Sequence, residues 1–254
     1  VTTNSNPTST QSCMVVSDAE ESDLSYFSSD KNYKLEYDSE NRQILMTGTQ
    51  IKHRHTADDG AGAQFEKALT SKNGQLYIDG EPAAVSMTYK SSVGANGYGY
   101  ELPEGSYYLE EDLALQNYSI KISKNVTLCL NNKTITAQHD QAAIYIMDDA
   151  SFTLTDCGTE GKIVHEAGRT HRGVYVGYRA TFRMYNGIIT EHHTDARPAL
   201  DGAGVFADGN VEMHGGTITG NSTAGTGGGV FNRSDGTFIL YDGAKITGNS
   251  AKYG

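Results

Sequence analysis

The residue types best suited to acid–base chemistry lie together in the segment EHHTDARPALDG at 191–202. Paired carboxylates at a fixed separation can cleave a glycosidic bond, and a base beside a cation can remove a proton next to a neutralised carboxylate. The candidate residues for this chemistry are His192, Asp195, Arg197 and Asp201. The alternative is a surface insertion, which a chain tolerates at low cost. No nucleotide-binding loop, G-x-S-x-G nucleophile or cysteine–histidine nucleophile pattern occurs, so we assign no catalytic residue.

Metal ligands are a second kind of candidate. His53 and His55 lie two residues apart in IKHRHT, with aspartates at 58–59, and imidazoles with carboxylates can hold zinc. Two close histidines in a polar connection are usually solvated, however. His192 and His193 would point to opposite faces of a strand, and the turn aspartates do not follow the calcium-binding β-helix repeat. We therefore expect no metal and no other cofactor.

The three cysteines are too few for a disulfide scaffold. Cys129 and Cys157 lie about one repeat length apart, so stacking of repeats could bring them together as a disulfide. Two separate thiols are the alternative, and the sequence leaves both open. Cys13 has no evident partner.

The composition limits the classes of protein to which the chain can belong. Its 254 residues carry 20 Lys and Arg against 31 Asp and Glu, a net charge of −11. This balance argues against a nucleic-acid partner, which selects a basic surface. No apolar run approaches the roughly 18 residues of a membrane span, so we expect no direct membrane insertion. With 29 Gly and only 4 Pro, the chain is typical of a turn-rich all-β protein.

A repeated segment supplies the framework for these residues. AAIYIMDDASFTLTDCGTEGKIV begins at Ala142, and RGVYVGYRATFRMYNGIIT begins at Arg172. AGVFADGNVEMHGGTITGN from Ala203 and GGVFNRSDGTFILYDGAKITGN from Gly228 follow the same pattern. Each has a V-aromatic-V strand, a Phe-x-Leu/Met strand and a short Ile-Thr strand. Three short strands in roughly 25–30 residues, joined by tight turns, predict one coil of a parallel β-helix.

Alternation along each strand predicts which side chains face inward. One residue of every coil falls in each of four apolar rows. The rows are Ile144, Val174, Val205 and Val230; Phe152, Phe182, Val211 and Phe238; Leu154, Met184, Met213 and Leu240; and Ile163, Ile189, Ile218 and Ile246. A less regular coil at 106–135 precedes them. We therefore predict a solenoid of about five coils over 102–254, at about 4.8 Å per coil.

The same alternation places one aromatic residue of each coil on the outside. The candidate ligand-binding residues of this row are Tyr145, Tyr175, Phe206 and Phe231. A second outward row contains Thr155, Tyr185, His214 and Tyr241, of which Tyr185 and Tyr241 are further candidates. We interpret the first row as a flat aromatic platform for sugar rings or a protein partner. Two alternatives are that the rings only stabilise the sheet, at about 0.2–1 kcal/mol per pair, or that the N-terminal region covers them.

The first hundred residues have a different texture. We predict a flexible leader at 1–22 and a small, mainly β hairpin or capping region at 23–101. NYKLEY and RQILMTG would pair around the turn DSEN, and QFEKALTSKNG would form a short helix closed by Gly74. At the other end the chain stops at GNSAKYG, where another GGV is expected, so we expect the natural protein to continue with further coils.

The repeat region resembles a known group of proteins. VTLCLNNKTI at 126–135, GVYV at 173–176, GGTITGN at 215–221 and GGGV at 227–230 are similar to the Gly-rich repeats of secreted and cell-surface proteins from anaerobic Gram-positive bacteria. LPEGSYYLEEDLAL at 102–115 is similar to the segment that leads into their helix. The resemblance implies a right-handed, single-stranded parallel β-helix and an extracellular, adhesin-like role. It carries over no catalytic residue.

Three functional hypotheses follow from these observations. The first is a non-catalytic segment of a surface protein that binds host or matrix glycans, glycoproteins or proteins through the outward aromatic row. The second is a polysaccharide lyase or glycoside hydrolase with its site near 191–201. The third is a passive structural stalk.

Overall fold

The computed structural model describes residues 13–26, 34–47, 53–55, 64–89, 97–194, 200–233 and 236–253. Contacts divide the chain into two compact units, Val1–Arg54 and His55–Gly254. The described residues contain no helix with the length and apolar character that a membrane crossing requires.

The first unit contains a three-stranded antiparallel sheet. Its elements are the strands Cys13–Ser17, Lys34–Asp38 and Gln43–Thr47, the 3-10 helix Glu21–Tyr26 and the short strand His53–Arg54. Lys34–Asp38 and Gln43–Thr47 form the predicted hairpin, and the Asp38 carboxylate accepts the N–H groups of Glu40 and Asn41 in its turn. The predicted flexible leader is wrong for Cys13–Ser17, which pairs with Gln43–Thr47. Residues 1–12 lie outside the described part of the chain.

The second unit is a parallel β-solenoid of about five coils. Equivalent strands stack into three sheets, which we call faces 1, 2 and 3. Face 1 contains Gly97–Leu102, Ser119–Ile122, Ile144–Ile146, Val174–Val176, Val205–Ala207 and Val230–Asn232. Face 2 contains Lys67–Lys72, Gly105–Leu109, Asn125–Cys129, Ser151–Thr155, Thr181–Met184, Asn210–Met213 and Phe238–Leu240. Face 3 contains Leu113–Leu115, Thr134–Ala137, Lys162–His165, Ile188–Ile189, Thr217–Thr219 and Lys245–Thr247.

Shorter strands complete the second unit. Val85–Tyr89 lies antiparallel at the edge of face 1, and Gln75–Ile78 and Glu81–Pro82 add antiparallel strands to face 2. His193–Thr194, Ser222–Thr226 and Ser250–Tyr253 form a small parallel ladder of their own, and Gln64–Phe65 is a further two-residue strand.

The coils stack in register, which confirms the predicted inward rows. Val174 pairs with Ile144 on one side and with Val205 on the other, and Phe182 lies 5.7 Å from Phe152, centroid to centroid. Every inward residue of the first three aligned coils is 0% exposed. Burying a side chain of this size contributes about 1.5–3 kcal/mol, so the rows are the main stabilising feature of the solenoid.

The last aligned coil is different. Leu240 is 50% exposed and Ile246 is 37% exposed, although both belong to the predicted inward rows. No described coil packs beyond them. Their exposure therefore reflects the missing neighbour on one side and not a change in register.

The solenoid begins earlier in the sequence than predicted. Gly97–Leu102 pairs in parallel with Ser119–Ile122, and Lys67–Lys72 pairs in parallel with Gly105–Leu109. A boundary at residue 102 is therefore too late, because strands on both sides of it belong to the same sheets.

The predicted helix over QFEKALTSKNG is wrong. The segment forms the strands Gln64–Phe65 and Lys67–Lys72, and the latter turns back into Gln75–Ile78 through Asn73 and Gly74. Both turn residues have positive φ, 52° and 75°. An Asn-Gly pair between two strands is a strong hairpin signal, and this local preference prevails over the helix-compatible residues before it.

Candidate functional site

The four outward aromatic residues of face 1 form one stacked column, which we call the face-1 ladder. Ring centroids are 4.5 Å apart between Tyr145 and Tyr175, 5.4 Å between Tyr175 and Phe206, and 5.5 Å between Phe206 and Phe231, with interplanar angles of 10–19°. The parallel pairing of their strands sets this arrangement, because each residue lies directly opposite its equivalent in the next coil.

The ladder does not present the flat platform that the sequence suggested. The inner rings of Tyr175 and Phe206 have a neighbouring ring on each side, so the outward surface shows ring edges and hydroxyl groups. Phe206 is only 9% exposed, and the Arg172 guanidinium lies 4.2 Å from its ring centroid. Stacking a sugar on the broad face of an inner ring is therefore not available.

Charged groups form a rim along the ladder. The Tyr175 hydroxyl donates to Asp208 Oδ2 at 2.9 Å, and Arg233 Nη1 donates to Asp208 Oδ1 at 2.9 Å. Arg172 Nε donates to the Asp201 carbonyl oxygen at 2.6 Å. Burial, followed by the neighbouring Tyr145 and Asp208, raises the pKa of Tyr175. The Asp208 carboxylate therefore lies between the Tyr175 phenol and the Arg233 guanidinium.

The second predicted row contains three stacked rings. His214 lies 4.5 Å from Tyr185 and 4.3 Å from Tyr241, centroid to centroid, and Tyr241 is 44% exposed. We call these three residues the face-2 ladder. Thr155, the first residue of this row, is 0% exposed, so the row is covered at that coil.

Two residues of the candidate catalytic segment, His192 and Asp201, lie in the described part of the chain. His192 is 0% exposed, so its assignment to a surface loop site is wrong. The Asp201 carboxylate accepts the Thr226 N–H at 2.7 Å and helps to hold the backbone. Asp195 and Arg197 lie outside the described residues.

His192 instead belongs to a buried histidine cluster that the sequence analysis missed. His139, His165 and His192 come from successive coils, and the half-buried His171 follows His165 along the chain. The rings of His165 and His192 lie 4.9 Å apart, and those of His139 and His165 lie 6.1 Å apart. Burial lowers the pKa of His139 and His165 to about 4 and that of His171 to about 3, and lowers that of His192 well below its usual value. The cluster could have been found from the sequence by applying the length of one coil to the positions of the histidines as well as to those of the strands.

The histidine cluster continues a ladder of asparagines. His192 Nε2 lies 3.1 Å from the Ile163 carbonyl oxygen, Asn221 Nδ2 donates to Ile189 O, and Asn249 Nδ2 donates to Ile218 O. The three acceptors are equivalent residues of successive coils on face 3. In each of these coils, the side chain therefore hydrogen-bonds the backbone carbonyl group of the equivalent face-3 isoleucine.

His55, Cys129 and Cys157 lie near one another in the second unit. His55 is 7% exposed, so the expectation of a solvated histidine is wrong here, and its Nε2 lies 3.0 Å from Cys129 Sγ. Cys129 and Cys157 are both thiols in the structure, and the disulfide between them stays a prediction. The aspartates at 58–59 lie outside the described residues.

No protein-family model, curated protein or solved structure matches the chain.

Proposed function

We propose that the chain is a non-catalytic segment of an extracellular, adhesin-like surface protein that binds glycans or glycoproteins of a host or matrix. The observation that supports this proposal is the face-1 ladder with its charged rim. A rigid row of aromatic edges beside carboxylate and guanidinium groups offers apolar contact and hydrogen bonds at fixed spacing.

The mechanism we propose is multivalent contact along the solenoid. Sugar hydroxyls would exchange hydrogen bonds with the Tyr175 hydroxyl, the Asp208 carboxylate and the exposed Arg233 guanidinium, while pyranose carbons pack against ring edges. Hydrogen bonds that involve a charged group contribute about 1.5–3 kcal/mol each. Because coils repeat at about 4.8 Å, an extended polymer could meet equivalent groups on neighbouring coils.

The test is a binding screen of the purified chain against glycans, mucins and serum glycoproteins. Tyr175→Phe removes one hydroxyl and keeps the stacked ring, and Arg233→Gln removes one rim charge. Each should weaken binding at least about tenfold. Tyr241→Phe, the same change on the face-2 ladder, is the matched control and should leave binding unchanged.

Other results would contradict this proposal. Binding that survives both rim substitutions would place the site elsewhere. A folded chain that binds nothing in the screen would favour the stalk, and release of unsaturated or reducing-end products from a polysaccharide would favour the lyase or hydrolase.

A further inference from the structure

A small buried cluster lies outside the main core, on the outer side of face 2. Cys129 pairs with Tyr108 in the preceding coil and with Thr155 in the next. Phe65, Ala68, Tyr108 and Cys129 form an apolar group in which no member is more than 6% exposed. The outward side chains of face 2 are therefore covered at this coil by other side chains. His55 contacts the sulfur of Cys129 there.

Three side chains in this cluster have ligand atoms that converge. The nearest ring nitrogen of His55 and the sulfurs of Cys129 and Cys157 all lie within 4.8 Å of one another. In a tetrahedral zinc site with Zn–S near 2.3 Å and Zn–N near 2.1 Å, neighbouring ligand atoms are about 3.3–3.8 Å apart. The His55 Nε2 to Cys129 Sγ distance of 3.0 Å is slightly shorter than this spacing, so these two atoms would move apart to admit the ion.

We propose that His55, Cys129 and Cys157 bind a zinc ion or a similar thiophilic divalent cation. All three residues belong to the second unit. One histidine and two cysteines leave the fourth position of a tetrahedral site for a water molecule.

The surroundings of the sulfurs suit thiolate ligands. The Asn131 backbone N–H donates to Cys129 Sγ at 3.3 Å, and such second-shell bonds orient and stabilise a metal-bound sulfur. Zinc is bound by thiolates, so binding would release the two thiol protons to solvent.

A disulfide between Cys129 and Cys157 would compete with the metal ion for the two sulfurs. A bond between Cys129 and Cys157 would consume both thiolates, so oxidation and metal binding exclude each other. The site would then couple the covering segment to face 2 only when the cysteines are reduced.

The experiment is a Co²⁺ titration of the full chain after reduction and removal of metal by a chelator. We expect one Co²⁺ per chain with visible d–d bands of tetrahedral intensity and a thiolate charge-transfer band, both displaced by Zn²⁺. Cys157→Ser is the principal variant, because this cysteine is exposed and its loss should not disturb folding. It should lower Co²⁺ affinity at least about tenfold and reduce the charge-transfer band. His55→Ala should change the d–d spectrum.

Cys13→Ser and His193→Ala remove a cysteine and a histidine outside the cluster and should bind Co²⁺ like the unmodified chain. Circular dichroism establishes that each protein is folded. A folded, reduced chain that binds no Co²⁺ would overturn the proposal, and so would binding that Cys157→Ser leaves unchanged.

Discussion

His165 and His192 approach each other within 2.7 Å through their Nδ1 atoms, although they belong to successive coils. One ring must donate and the other accept, so at least one of the two is neutral at this nitrogen. The other ring nitrogens face carbonyl oxygens, Gln141 O at 2.9 Å and Ile163 O at 3.1 Å. Both Nε2 atoms would have to donate to these carbonyls, so the three contacts need three protons; two neutral rings carry only two, and one contact lacks a hydrogen bond while burial keeps both rings uncharged.

The first prediction is that the fold loses stability in mild acid. Burial lowers the pKa of His165 to about 4, Asp140 partly opposes this shift, and Arg172 reinforces the one at His171. Because the folded pKa is below the unfolded value of about 6.5, stability is complete above pH 6.5 and falls as the pH approaches 4. Each histidine contributes about 1.4 kcal/mol per pH unit within that window. Thermal melts at pH 7.5, 6 and 5 measure this, and a constant Tm would contradict it.

A matched substitution isolates the cause of that acid sensitivity. Asn221 and Asn249 occupy the equivalent corner of the following coils, so His192→Asn should keep the hydrogen bond to Ile163 O while removing one titrating group. We expect this variant to be folded at pH 7.5 and to show a shallower dependence of the unfolding free energy on pH. A slope equal to that of the unmodified chain would assign the sensitivity to other groups.

A second prediction compares two phenylalanines of one inward row. Phe182 is fully buried between coils, whereas Phe238 is half-buried in the last aligned coil. Phe182→Ala should cost about 3–5 kcal/mol in urea unfolding, the usual value for a core phenylalanine. Phe238→Ala should cost less than half as much, since its ring has a neighbour on one side only. Equal losses would mean that the rows do not stabilise the solenoid coil by coil.

A third prediction concerns the Asn73–Gly74 turn. Both Gly74 and Gly80 have positive φ, 75° and 87°, so alanine at either position costs about 1–2 kcal/mol of backbone strain. A Cβ at Gly74 would also lie 2.5 Å from Gln116 Cγ, whereas nothing lies within 4 Å at Gly80. Gly74→Ala should therefore destabilise the chain more than Gly80→Ala in the same unfolding assay. The reverse order would contradict the described packing of the hairpin.

A fourth prediction concerns thiol reactivity. Cys157 is exposed and Cys129 is buried, so a maleimide should label Cys157 in the folded, reduced chain and reach Cys129 only on unfolding. Peptide mapping after a short pulse distinguishes the two. Rapid labelling of Cys129 would show that the cover over face 2 opens readily.

The sequence predicted the solenoid because its physical signal is periodic. Inward positions such as Ile144 and Val174 must be apolar in every coil, and a repeat of that kind is visible without alignment. The contact between His55 and Cys129 has no such signal, since the two residues are 74 positions apart and His55 lies outside the repeat. The helix over 64–74 was predicted wrongly because the apolar spacing of a short segment fits either secondary structure, and pairing with Gly105–Leu109 decides for the strand.

The face-1 ladder illustrates a different limit. Alternation correctly placed Tyr175 and Phe206 in one outward column, but it says nothing about which way the rings turn. In-register stacking turns them face to face, so that ring edges meet the solvent and Arg172 covers Phe206.

The in-register pairing of coils has a mechanical consequence. The hydrogen bonds that join Ile144–Ile146 to Val174–Val176, and each coil to the next, run along the solenoid axis. Tension applied between the two ends of the solenoid would load these bonds one coil interface at a time, because each coil contacts only its neighbours. The chain would therefore lengthen in a series of small steps at nearly constant force, and would absorb a pull by unwinding and not by sudden rupture.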